Sequence, residues 1–220
     1  GMNGLLKNNF YGVAGNMKVL FTAIIIVGSI FEVIGDAAMV SIFAFIPAPI
    51  MALLAISCLR KESASKWGKY KITLTVKRKD IVKSKYVSHA IAGAIGVLVV
   101  AVFMGIAVII HGNVYFYYGF RDAITLILSG GILTFFIGAI AYPLYYLWGD
   151  DKTEIIMVLA VLGAIAIILG FSLLINIVAG EGGVSDAKYY LSLLVIIVIA
   201  AVAYLGSFAL SVSIFEKVEW

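Results

Sequence analysis

The sequence predicts an all-α, polytopic membrane protein with six membrane-crossing helices. Three observations carry that reading. The 220 residues are 63% hydrophobic and only 13% charged, with a mean hydropathy of +1.11, far from the balance of a water-soluble domain. Apolar runs long enough to cross the hydrocarbon, about twenty residues each, recur along the chain. Basic charge is concentrated in one island, residues 60–86, which separates the second run from the third.

Residues 3–18 are too polar to span, yet Leu6, Phe10, Val13 and Met17 recur at helical spacing. This predicts an amino-terminal amphipathic helix lying in the interface over residues 1–18. Gly4, Gly12 and Gly15 support the alternative of a frayed tail. The transmembrane domain is then residues 19–220, and its first run reads as a retained span because about eighteen residues precede it, long for a signal peptide.

Val19 to Ile34 forms the first span and Ala37 to Leu59 the second, with Pro47 and Pro49 expected to kink the latter. The third, Val87 to Ile110, is rich in Gly and Ala, as close helix packing in lipid prefers. Aromatic residues at positions 115–118 and 120 resemble an interfacial belt. Ala123 to Leu147 is the fourth span, with Pro143 near its end, and Ile155 to Ala179 the fifth. A Gly-rich loop follows, in which Ser185 or Asp186 can cap the sixth span, Tyr189 to Ile214.

Orientation follows from the Lys and Arg count on each side. With the amino terminus cytoplasmic, the inner side holds Lys7, Lys18, the ten basic residues of the island, Lys152 and Lys217, and the outer side only Arg121 and Lys188. Both termini are therefore expected to be cytoplasmic. Beside a membrane such an island meets anionic headgroups, at about 1 kcal/mol per basic residue, so membrane lipids rather than nucleic acid are the expected partners.

No catalytic, cofactor or metal site is legible. His89 and His111 are the only histidines, both near predicted membrane edges, and read as surface or interfacial groups without metal-site spacing. No phosphate-binding Gly-x-x-x-x-Gly-Lys-Ser/Thr loop occurs, so any ATP dependence belongs to a partner. Polar residues within the spans are mild: Ser41, Ser57, Ser129, Thr134, Ser172, Ser207 and Ser211 are expected to satisfy backbone carbonyls or link helices. Asn176, in the fifth span, is the least easily explained this way. Missing acids and mid-membrane histidines argue against a proton-coupled carrier.

Within the island, Trp67, Tyr70, Lys71 and Leu74 share one helical face, predicting a short helix with an aromatic ridge, and Asp80 to Tyr86 a second one leading into the third span. A solvated loop whose aromatics rest on headgroups is the alternative reading of these residues alone. The order Glu62, Trp67, Tyr70, Leu74, Val76, Arg78, Ile81, Val82 and Ser84-Lys85-Tyr86 resembles the signature loop of small six-span bacterial ABC type-2 permeases. The chain departs from that pattern at Lys61, Thr75 and Lys77, which stand where the family has an acid, Pro and Ser.

The resemblance implies the membrane subunit of an ATP-binding-cassette exporter. Residues 60–86 would be the cytosolic coupling loop, with Trp67, Tyr70, Lys71, Leu74 and Arg78 contacting a separate ATPase that carries ATP and Mg. Residues 3–18 would be its elbow helix, and a second copy of the chain, or a paralogous permease, would complete the pathway in a bacterial plasma membrane. The cavity is expected to be apolar and aromatic, with Phe43, Phe45, Phe135, Phe136 and Asn176 as candidates. The implied cargo is an amphipathic or antimicrobial peptide, with lipids or hydrophobic drugs as alternatives, and a non-transporting scaffold as the rival from another class.

Overall fold

Lipid offers no water to peptide groups, so a span in it must close its own hydrogen bonds, and a helix does so within one segment. The computed structural model describes residues 2–34, 77–111 and 120–217, together with 47, 49–51, 53 and 56, and contains no strand among them. Its helices are α1 (Met2–Ile34), α2 (Arg78–His111), α3 (Phe120–Trp148), α4 (Thr153–Ala179) and α5 (Asp186–Glu216), with a 3-10 turn at Asp150–Lys152. Helices α2 to α5 are long and apolar enough to cross a membrane, and they coincide with the third to sixth expected spans.

Helix α1 runs unbroken through the position where an interfacial helix and a first span were expected to part. Its 33 residues rise about 50 Å, against about 30 Å of hydrocarbon. In its first turn Leu5, rather than the neighbouring Leu6 of the expected apolar face, is buried in the main core. The second expected span is helical at its described positions, Pro47, 49–51, Leu53 and Ile56. Phe43, Phe45, Trp67, Tyr70, Lys71 and Leu74 lie outside the described residues.

Helix α3 is the hub: it packs against α5, α4 and α2, while α2 also packs against α1 and α5. Contacts between Thr125 and Tyr189 at one end, and Ala139 and Ser207 nearer the other, make α3 and α5 parallel. Helices α2 and α4 run the opposite way. On α4, Ile156, Ala160 and Ala164 recur every fourth residue and are buried, while Leu162, Leu169 and Leu173 face outward. The buried stripe of α5 is Ala200, Tyr204, Ser207, Ser211 and Phe215. Its inner face is thus more polar than its outer one, as expected where the surroundings are hydrocarbon.

Two clamps fix the ends of the bundle. At the α4–α5 end, Gly180 has φ of 70°, a left-handed conformation that suits Gly, and the chain reverses into Ser185, whose hydroxyl caps α5 by accepting from Lys188 N at 3.4 Å. The Arg121 guanidinium donates to Val184 O at 2.7 Å, lies 3.5 Å from Asp186 and sits 4.4 Å from the Tyr189 ring centroid, holding this loop to α3. At the other end Arg78, the first residue of α2, donates to Phe215 O at 3.0 Å and Glu216 O at 3.3 Å. A cation there meets the carbonyls that end α5 and the negative pole of its dipole.

Arg78→Ala is expected to lower stability by about 1–2 kcal/mol, since it removes charge-assisted bonds that are partly exposed. Arg78→Lys should recover part of that loss, and thermal unfolding of the detergent-solubilised chain measures both.

Candidate functional site

The chemistry-bearing side chains gather where α2, α3 and α5 meet, and the arrangement begins with a proline. Pro143 lies inside α3, has no N–H, and so leaves the carbonyl four residues earlier, that of Ala139, without its helical donor. Ser207 on α5 donates its hydroxyl to this carbonyl at 2.7 Å. Because the Ser207 proton is committed, its oxygen must accept from the Tyr86 hydroxyl, 2.7 Å away. The Tyr86 oxygen in turn accepts from Ser211, also at 2.7 Å. Tyr204 donates to the main-chain carbonyl of Tyr86. Each donor has one acceptor, which is what burial in an apolar bundle requires.

His89 stands one turn further along α2 and is fully buried, with 0% exposure. Its Nε2 lies 2.9 Å from Thr134 O, a carbonyl that can only accept, so Nε2 carries the proton. Nδ1 is then an acceptor and takes the Tyr142 hydroxyl at 3.1 Å. The ring is therefore the neutral Nε2–H tautomer, satisfied on both sides. This corrects the reading of His89 as a surface or interfacial group: α2 begins at Arg78, so His89 lies three turns inside the helix. Its place is reserved by Gly138, where a Cβ would come within 2.6 Å of Nε2.

The second half of the island motif belongs to this same packing. Ile81, Val82, Ser84, Lys85 and Tyr86 are all buried, and Arg78 is half-buried. Lys85 is thus held within the protein, not spread on headgroups, and it is engaged with partners there.

Beyond His89 the next turns of α2 and α5 flank a gap. A crevice of about 560 Å³ opens between them with α3 as its floor, and Phe135 lines it. The adjacent Phe136 points the other way, buried in the core beside Phe171 of α4. A smaller cavity of about 160 Å³ lies between α3, α4 and α5, where Thr125, Ser129, Ser172 and Tyr189 supply hydroxyls. Ile132 lines both. Asn176 is exposed on α4 and lines neither. Among the described residues no cluster of His, Cys, Asp or Glu is arranged to hold a metal.

The family model for ABC-2 family transporter proteins matches residues 4–216. The chain belongs to the ABC-2 transporter family. No curated protein and no solved structure matches it. The crossing helices and the family together make it a multi-pass membrane protein. ABC-2 permeases are membrane subunits that normally work with a cytosolic ATPase.

Sequence reasoning anticipated that Ser207, Ser211 and Thr134 serve backbone carbonyls or link helices, and in this permease they do. It missed the tyrosines and His89. The available signals were the spacing of Tyr86 with His89, and of Tyr204, Ser207 and Ser211, each set on one helical face, and a proline within a span.

Ser207→Ala should destabilise the permease by about 1 kcal/mol, the scale of interhelical hydrogen bonds in membranes. In a Pro143→Ala background, whose restored N–H can reach Ala139 O, the same substitution should cost less. A double-mutant cycle on unfolding in mixed micelles measures this coupling; additivity would show that the proline does not create the need for Ser207.

Proposed function

We propose that this chain is the permease subunit of an ATP-driven exporter that moves amphipathic peptides out of a bacterial cell or its plasma membrane. The observation that carries the reading is the family match over almost the whole chain, with a basic, aromatic-bearing island that runs into the first turns of α2. Two copies, or this chain and a paralogue, assemble with two ATPase subunits, since one chain offers little wall for a large pathway and symmetric pairs are the commonest oligomer. Both termini face the cytoplasm, in keeping with the asymmetry of Lys and Arg.

In this reading Trp67, Tyr70, Lys71 and Leu74 form the face that docks on the ATPase, where an aromatic ridge fills a groove and lysines steer an acidic surface. ATP and Mg reside on that partner. Movement of the loop reaches the spans through α2, because Arg78, Tyr86 and His89 tie its first turns to α5 and α3. Of the proposed cavity residues, Phe135 stands at the crevice. The apolar crevice also supports a second reading, export of lipids or hydrophobic drugs.

Co-purification with an ABC ATPase, followed by ATP hydrolysis in proteoliposomes with candidate peptides, tests the proposal. Trp67→Ala combined with Tyr70→Ala should weaken recovery of the complex and peptide-stimulated hydrolysis. Unchanged recovery and coupling would overturn the docking assignment, and a complex that forms but moves no cargo would favour a scaffold.

A further inference from the structure

The crevice between α2 and α5 is shaped by where these helices are pinned. At one end they are joined by Arg78 to Phe215 and Glu216, by Tyr86 to Ser207 and Ser211, and by Tyr204 to the Tyr86 carbonyl. Beyond His89 the space between them is bounded by small residues: Gly93 and Ala94 on α2, Ala200 and Ala201 on α5. Gly131 brings α3 against α2, since a Cβ there would lie 2.7 Å from Val97. A V results, closed by hydrogen bonds at its apex and open at mid-span, with a volume of about 560 Å³, within the range of ligand sites.

We propose that this V is a binding site for one acyl chain of a bilayer lipid, admitted sideways between α2 and α5. Three observations point to that occupant. Among the described residues the lining is apolar side chains and glycine, which offer a headgroup or polar solute no partner. The site lies near the middle of three membrane-crossing helices, where hydrocarbon is the medium. Its mouth residues Ala94, Leu98 and Ala201 are exposed, and they continue into the outward apolar faces bearing Val102 on α2 and Val202 and Leu205 on α5.

Surrounding tails are as apolar as the lining, so the hydrophobic effect favours neither place. What retains a chain is dispersion contact: an empty V leaves its walls without partners, and an ordered chain in it touches three helices. A bound chain is therefore a wedge that sets the separation of α2 and α5 above the tyrosine apex. The V holds a bilayer lipid chain whatever cargo the permease moves.

The test reconstitutes the full chain in phosphatidylethanolamine–phosphatidylglycerol vesicles containing a phospholipid with a diazirine midway along one acyl chain. Photolabelling is mapped by mass spectrometry. Leu98 is 65% exposed, and Leu162 and Leu169 on α4 are 60% and 58% exposed, so simple contact with bulk lipid labels them alike. Enrichment of several-fold at Ala94, Leu98 and Ala201 over the α4 pair is expected. Ala94→Trp and Ala201→Trp, on different helices, should each reduce that enrichment several-fold, whereas Val202→Trp on the outward face should not. Ala201→Leu, a smaller filler, gives the same direction should a Trp variant fail to fold. Equal labelling of the V and α4, or labelling that survives the fillers, overturns the proposal. So does efficient disulfide formation between copies through Ala201→Cys with loss of lipid labelling, which would make a second copy the occupant.

Discussion

The bundle depends on one backbone group, the Ala139 carbonyl that Pro143 leaves without an N–H. In water such a group would be solvated; between membrane helices another helix must supply the proton. Ser207 supplies it, and that commitment propagates outward. With its own proton used, Ser207 can only accept, which orients Tyr86 and then Ser211. One missing donor on α3 thereby sets the hydrogen-bond direction along α5 and the rotation of α2.

The seam joins two parts of the molecule with different tasks. On one side it meets Arg78 and the end of the basic island, where the chain emerges toward the proposed ATPase-docking residues. On the other side it closes the apex of the α2–α5 crevice. Between them the first turns of α2 are bonded to both α3 and α5, so a displacement at the start of α2 cannot be absorbed locally without breaking buried hydrogen bonds. Glycine makes this contact possible: Gly138 leaves room for the His89 ring, and Gly93 accepts Thr134 where a Cβ would come within 2.8 Å.

The motif that suggested the family is therefore double in nature. Its later half, Arg78, Ile81, Val82 and Ser84-Lys85-Tyr86, is helix start and core. The helix expected over Asp80 to Tyr86 is continuous with the third span, in an α2 that starts at Arg78. Lysines at positions 79, 83 and 85 made this stretch look aqueous. Helical geometry sorts them, with Lys79 and Lys83 exposed and Lys85 turned inward.

From the sequence alone came the helical class, the bounds of the last three crossing helices to within about three residues and the family, because hydrocarbon selects long apolar runs and leaves their lengths visible in composition. A cap at Ser185 or Asp186 was legible too, since its signal is local, and Ser185 is the one that caps. Tertiary structure alone decided which face of each span turns inward. In lipid both faces of a helix are apolar, so periodicity carries little information, and burial is assigned by a few hydroxyls, aromatics and glycines whose partners lie far off in sequence. His89 became a core residue, and Phe135 and Phe136 turned to opposite sides of α3, by contacts that no single segment encodes.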